Sequence, residues 1–187
     1  MRRSTVGLLV IGALALIVIL AGISSYNSLV SLETKVESKF SDIDGQLQRR
    51  YDLIPNLVNT VQGYTQHEAD VMKAISDART KLGGGGSLQD RADADAELTG
   101  ALGRLLVVVE NYPNLKADAE FTRLMDELSG TENRIAVARR DYNAAVETYN
   151  VKIRKFPAAL FAGMFGFDKK EFFRAQEEAE RAPEVKF

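Results

Sequence analysis

The chain has 187 residues, with 24 Lys and Arg against 26 Asp and Glu, and it contains no Cys and no Trp. That length accommodates one domain with a hydrophobic core plus an anchor, and the absence of Cys excludes disulfide bonds and thiolate zinc sites. A formal net charge of -2 provides no positive surface for nucleic acid, so we expect no nucleic-acid partner.

The first predicted element is an apolar run from Val6 to Ile23, which holds no charged or strongly polar side chain. As a helix it would be roughly 27 Å long, close to the hydrocarbon thickness of a bilayer. A cleaved signal peptide, the alternative, usually has about 7–15 apolar residues. We therefore predict a transmembrane helix over residues 6–25, in contact with the lipid bilayer through Val6 to Ile23.

The orientation of this helix follows from the positive charges before it. Arg2 and Arg3 precede the apolar run, and the first charges after it are Glu33 and Lys35. By the positive-inside rule, residues 1–5 form a short cytoplasmic N-terminus. The rest of the chain is then expected in the periplasm or on the outer side of the plasma membrane.

Residues 26–156 predict an antiparallel, up-down bundle of about four long helices, which makes the fold class all-α. Apolar residues recur there every three or four positions, without strand-like alternation. Pro55 interrupts the first apolar stripe, and Asp52 could cap the amides that follow. We expect a sharp kink or chain reversal around residues 52–55, leaving open whether one kinked helix or two separate helices result.

The remaining helix boundaries follow from glycine, proline and capping residues. Four glycines, at positions 83–86, predict a flexible turn, and Ser87 with an acidic first turn predicts the start of the third helix. That helix should stop before Tyr112 and Pro113, and Asn114 could cap a long fourth helix that ends at Pro157.

The last region, residues 157–187, combines an apolar segment with a polar tail. Residues 156–167 read FPAALFAGMFGF, which is too short to span a bilayer. The segment either caps the open end of the bundle or contacts the membrane or another subunit. The side chains expected to make a membrane or subunit contact are Phe156, Phe161, Phe165 and Phe167.

No motif predicts catalysis, a metal site or a cofactor. His67 and Glu68 resemble the first half of a zinc-protease helix, but the residue four positions after His67 is Val71, so the second His ligand is absent. The glycines at 83–86 lack the following Lys-Ser or Lys-Thr pair of a phosphate loop. We therefore expect a protein that is not an enzyme and binds no cofactor.

Two polar constellations stand out. Arg49, Arg50, Tyr51 and Asp52 form either a helix-end ion pair or a recognition patch. A Tyr-Asn pair occurs at residues 142–143 and again at 149–150, seven residues on, so like residues share a helix face. These pairs either set the register between helices by hydrogen bonds or line a polar groove for a peptide or partner helix. The residues predicted to make partner or inter-helix contacts are Arg50, Asp52, Pro55, Asn56, Tyr64, His67, Glu68, Glu132, Asn133, Arg139, Tyr142, Asn143, Tyr149 and Asn150.

Four ordered motifs resemble those of the LemA family. They are residues 46–58 (QLQRRYDLIPNLV) with 61–64 and 67–68, residues 110–117 (ENYPNLKA), residues 132–136 with Arg139 and the two Tyr-Asn pairs, and residues 156–157 with Ala162 and 166–167. The resemblance extends from the anchor to about Phe173. Phe40 departs from it, because many relatives have Trp at that position.

The resemblance implies a bacterial protein with an N-terminal membrane anchor, an antiparallel helical bundle and no established enzymatic activity. It also implies association with membrane proteases or other envelope proteins. With the residue-level analysis, it favours a non-enzymatic scaffold or adaptor tethered to the bacterial inner membrane. The alternative is a self-assembling structural envelope protein whose homo-oligomerisation is itself the function.

Overall fold

The computed structural model describes residues 2–65 and 68–173, with side chains from Thr5 onward. Every regular element in those ranges is a helix, which confirms the all-α prediction. The helices are α1 (Arg2–Gln62), α2 (Ala69–Gly83), α3 (Leu88–Val109), α4 (Pro113–Lys116), α5 (Ala119–Lys152) and α6 (Ala158–Ala162).

The apolar run is the first part of α1. Among the described residues, α1 is the one helix that is long and apolar enough, by length and composition, to cross a membrane. Leu8 and Leu9 are 71% and 74% exposed, so none of the other residues that the structure describes covers them. Burial of such side chains in hydrocarbon is favourable, and the protein is a membrane protein; its orientation stays a prediction.

Of the two outcomes expected around residues 52–55, a sharp kink or a chain reversal, the reversal is wrong, because α1 continues as one helix through Pro55 to Gln62. A proline inside a helix lacks the N–H that would bond the carbonyl four residues earlier, here that of Tyr51. Arg79 on α2 replaces the missing donor, since its Nε donates to the Tyr51 carbonyl oxygen at 3.0 Å. The Arg79 guanidinium also lies 3.8 Å from the centroid of the Tyr51 ring, so α2 supports the helix at its proline.

The described residues form two compact units. We call residues 2–40 and 141–172 the anchor unit, and residues 41–65, 68–140 and Phe173 the bundle unit. In the anchor unit, α5 runs back along α1. Lys39 pairs with Asp141 at 3.6 Å, and after α5 ends the chain reaches Phe161 of α6, whose ring lies beside Gly22.

Contacts within the bundle unit give the helix directions. Asp44 pairs with Arg91 and Arg50 with Asp95, so α1 and α3 run the same way. On the other side, α5 runs opposite to α1. The contacts that establish this second direction are Arg134 Nε to Gln46 Oε1 at 3.0 Å and Arg49 to Glu127 at 3.5 Å. Helix α2 runs opposite to α3, because Lys81 pairs with Glu97 and Glu68, just before α2, accepts from Tyr112, just after α3. The four long elements therefore alternate in direction, as in an up-down bundle.

The core of the bundle unit consists of the predicted stripes. Its buried apolar side chains include Ile43, Leu47, Ile54 and Leu57 of α1, Ile75 and Leu82 of α2, Leu98 and Leu105 of α3, and Leu124, Leu128 and Ile135 of α5. Each stripe recurs at three or four residues, so one face of each helix is buried and the others meet water.

Two helix starts show which capping predictions were right. Ser87 caps α3 in a capping box with Asp90, as predicted. Asn114 does not cap the last long helix, because it lies inside the short helix α4. Asp118 takes that role, accepting a bond from the Phe121 N–H at 2.8 Å. Asp52, the other expected cap, is exposed in mid-helix and accepts from Gln48 Nε2 at 2.9 Å.

Candidate functional site

A charge cluster lies in the core of the bundle unit, centred on Arg50. The stripe of α1 passes from Leu47 to Ile54, and Arg50 occupies the intermediate position that faces inward. Only 1% of Arg50 is exposed. A guanidinium stays charged in proteins, so its burial requires an acidic partner from another helix.

Asp95 of α3 supplies that partner. It is 4% exposed, and its Oδ1 accepts from Arg50 Nη1. Its other oxygen, Oδ2, accepts from Arg139 Nη2 of α5 at 2.6 Å. One carboxylate thus joins α1, α3 and α5, and a slip of any of these helices by one residue would break the pairing.

Two further polar groups complete the environment of Arg50. The Thr99 hydroxyl accepts from Nη1 and Nη2 at 3.2 and 3.1 Å, and a Glu132 carboxylate oxygen lies 4.0 Å from Nη2. Two arginines and two carboxylates therefore balance in charge. The Nε atoms of Arg50 and Arg139 find no hydrogen-bond acceptor among the described residues, which adds to the cost of burying the cluster.

Arg139 connects this cluster to the edge of the unit. Burial lowers the pKa of its guanidinium, although the Asp95 carboxylate opposes that shift. The Phe173 ring covers it, with its centroid 4.5 Å from the Arg139 Cζ. The arrangement holds three helices in register.

Sequence reasoning identified Arg50, Glu132 and Arg139 but missed Asp95, Thr99 and Phe173. A signal for Asp95 was present, because it lies three residues before Leu98, on the apolar stripe of α3. A charged residue on such a stripe requires a buried partner. The remaining predicted residues of this region, Asn56 and Asn133, are exposed.

A second polar group of the bundle unit lies where the connection between α1 and α2 meets the residues on either side of α4. The Tyr64 hydroxyl donates to Asp118 Oδ2 at 2.8 Å, and the Tyr112 hydroxyl donates to Glu68 Oε1 at 3.1 Å. The bond to Asp118 raises the pKa of the Tyr64 hydroxyl. Tyr64 and Glu68, both predicted contact residues, thus bind the segments on either side of α4 within the same chain. His67 lies outside the described residues.

In the anchor unit, the Tyr-Asn pairs hold an extended segment, residues 168–172. Asn150 Nδ2 donates to the Lys170 carbonyl and its Oδ1 accepts from the Lys170 N–H, both at 2.9 Å. The Tyr142 hydroxyl donates to the Glu171 carbonyl at 3.0 Å. These side chains therefore bind backbone of the same chain, as they would bind a peptide. Asn143 is half-buried.

Tyr149 lies behind this contact and is fully buried. Burial, together with the charges of Glu33 and Asp168, raises the pKa of its hydroxyl to about 12. Its hydroxyl finds no hydrogen-bond partner within the described part of the chain. Lys170 pairs with Glu33 at 2.6 Å, beside the same ring.

We expect Asn150→Ala to release residues 168–172. Loss of two hydrogen bonds should lower the free energy of unfolding by roughly 1–2 kcal/mol and raise amide hydrogen exchange at Lys170. Exchange mass spectrometry of the full-length protein in detergent micelles measures both effects. Asn133→Ala, an exposed change on the same helix, is the matched control. Unchanged protection at Lys170 would contradict the assignment.

The four phenylalanines predicted to contact membrane or subunit occupy different environments in the anchor unit. Phe156 is 79% and Phe165 46% exposed, whereas Phe167 is 8% exposed. The Tyr26 ring packs edge-on against Phe165 and Phe167, at centroid distances of 5.1 and 5.7 Å. Their external contacts remain a prediction.

Within the described ranges, no group of three or more His, Cys, Asp or Glu side chains could hold a metal ion.

Comparison with known proteins gives consistent matches. A family model described as the LemA family matches residues 39–187. Magnetosome protein MamQ 2 of Paramagnetospirillum magneticum is 31% identical over 197 residues, covering 89% of this chain and 71% of the relative. Magnetosome protein MamQ of Magnetospirillum gryphiswaldense is 30% identical, covering 79% and 64%. Protein LemA of Metamycoplasma hominis is 24% identical, covering 81% and 69%.

Proposed function

Because the chain belongs to the LemA family, we propose that it is a membrane-tethered scaffold or adaptor of the bacterial cell envelope. It acts through protein–protein contacts, not through catalysis. Residues 6–23 insert in the inner membrane with the N-terminus in the cytoplasm, as the positions of Arg2 and Arg3 favour. The folded part then lies outside the cytoplasm.

The observation that carries this proposal is that the apolar run of α1 leads directly into the packed part of the same helix. Packing begins within the last turn of the apolar run, where Gly22 is buried, and Ser25 and Leu29 on the same face are 6% and 0% exposed. No linker separates the hydrophobic segment from the packed part of the anchor unit. A protein held this way presents the surface of its anchor unit at a fixed height above the bilayer, which suits a scaffold.

The relatives support a membrane-associated protein without enzymatic activity. The MamQ proteins are named for the magnetosome, and none of the relatives' names specifies a reaction. We propose a membrane protein as the partner of this chain, with a membrane protease as one candidate. The bundle unit offers apolar contact positions, because Val107 is 72% and Val137 48% exposed.

Photo-crosslinking in cells tests this function. A photoreactive residue in place of Val107 or Val137 should form a covalent adduct with a different membrane protein. Mass spectrometry of the adduct identifies that protein. Gln89, an exposed polar position in the same unit, is the control.

Two other results of the crosslinking would contradict the adaptor proposal. Adducts chiefly between copies of this chain would replace the adaptor by the self-assembling envelope protein. Yields at both valines no higher than at Gln89 would refute an adaptor that uses this surface.

A further inference from the structure

In and beside helix α6, large apolar side chains are exposed and small ones are buried. Leu160 within the helix is 62% exposed, and Phe156 and Met164, which flank the helix, are 79% and 73% exposed. The inner positions hold Ala158 and Ala162, which are 1% and 4% exposed. A helix in water normally turns its largest apolar residues inward. The outer face of α6 therefore fits an apolar environment.

The position of α6 in the anchor unit shows what that environment is. The Phe161 ring lies against Gly22, where an added Cβ would come within 3.2 Å of it. The Tyr26 and Phe165 rings pack against each other at 5.1 Å. Gly22 belongs to the last turn of the apolar run and Tyr26 to the next. The outer face of α6 is thus level with the end of the segment that spans the membrane.

Basic residues flank α6 on both sides. Residues 152–170 contain five basic side chains and one acidic side chain, Asp168, with the basic ones at Lys152, Arg154, Lys155, Lys169 and Lys170. Arg154 and Lys155 are exposed just before the helix. Cations beside an apolar helix favour the anionic headgroup layer, and aromatic side chains favour the same depth.

We propose that α6, with Phe156 and residues 163–165, lies in the bilayer interface as a second membrane contact, inserting its outer face among the lipids at the Ile23 end of the span. This rests on the proposed insertion of residues 6–23. The lipid surface is the occupant because α6 is continuous with that segment through the Phe161 and Tyr26 contacts. The contact restrains the anchor unit at a second point, so that it cannot turn freely about a single helix.

Spin labels on single cysteines in the full-length protein measure this depth, since the chain has no Cys of its own. Labels at Leu160→Cys and Met164→Cys are compared in vesicles of phosphatidylcholine and phosphatidylglycerol. Leu14→Cys, inside the apolar run, marks hydrocarbon. Glu37→Cys, exposed on α1 roughly 21 Å beyond Ile23, marks water. The measured quantity is accessibility to oxygen relative to a water-soluble nickel complex.

We expect this ratio at Leu160 and Met164 to exceed that at Glu37 several-fold and to approach that at Leu14. Water-like ratios at both α6 positions, with Leu14 in hydrocarbon, would overturn this inference and leave the proposed anchor intact. A water-like ratio at Leu14 would overturn both. Dipolar coupling between copies labelled at Leu160, with low access to both reagents, would instead assign the face to a second copy and also overturn the inference.

Discussion

Replacement of Asp95 by Asn is expected to lower the free energy of unfolding by about 3–5 kcal/mol, as for other buried ion pairs that lose one partner. Asp95 holds both Arg50 and Arg139, and Arg50 is almost completely buried. Without the carboxylate charge, two guanidinium groups remain close together in the core. The chemical unfolding of the full-length chain in detergent micelles, followed by circular dichroism, measures the change.

Two controls separate the buried cluster from charge in general. Glu97→Gln removes an exposed carboxylate of the same helix, whose partner is Lys81 at 2.7 Å, and should cost at most about 1 kcal/mol. The combined change Arg50→Met, Asp95→Leu and Arg139→Met removes all buried charge and should recover much of the stability lost in Asp95→Asn. If Asp95→Asn costs no more than Glu97→Gln, the cluster does not stabilise the bundle unit.

Gly83→Ala is expected to destabilise the protein, although alanine is the better helix former. An added Cβ at Gly83 would lie 2.5 Å from Cε2 of the Tyr51 ring. That ring cannot easily move, because the Arg79 guanidinium stacks on it and binds the Tyr51 carbonyl. Overpacking costs about 1–3 kcal/mol, more than the roughly 0.5–1 kcal/mol that Ala gains over Gly in a helix.

Gly100→Ala is the matched control for this prediction. Gly100 lies inside α3 with nothing within 4 Å of an added Cβ, so the same substitution should stabilise by roughly 0.5–1 kcal/mol. The thermal midpoints of the two variants should therefore move in opposite directions. In a Tyr51→Ala background, Gly83→Ala should lose its destabilising effect. Equal shifts for both glycines would show that the contact with Tyr51 is not tight.

The substitutions at Asp95 and Gly83 both affect contacts that hold α1 in place. At Pro55 the helix lacks one internal hydrogen bond, and α2 supplies a replacement through Arg79. One and a half turns earlier, Arg50 is fixed by α3 and α5. Residues 49–55 of the first motif therefore serve the packing of this region at least in part, whereas Asp52 in this range and Asn56 just after it are exposed.

Local signals in the sequence determined a large part of the fold. The apolar run, the stripes of the long helices, the capping box at Ser87 and the end of α3 before Pro113 each depend on residues within a few positions of one another. Such patterns act through adjacent turns of one helix, so the sequence alone predicts them. The ordered motifs likewise indicate the LemA family from the sequence alone.

Only the tertiary structure decided the remaining features. The sequence predicts a sharp kink or a chain reversal at Pro55 and leaves open whether one helix or two result. The helix continues, and Arg79, 28 residues away from Tyr51, donates a bond to the carbonyl that the proline leaves unpaired. The partner of Arg50 is 45 residues away at Asp95, and Asn150 binds the backbone at Lys170 on a different segment. Local periodicity shows which side chains face inward but not which of them meet. That choice depends on the packing of distant helices, where a buried charge or an unpaired carbonyl is costly unless another element satisfies it.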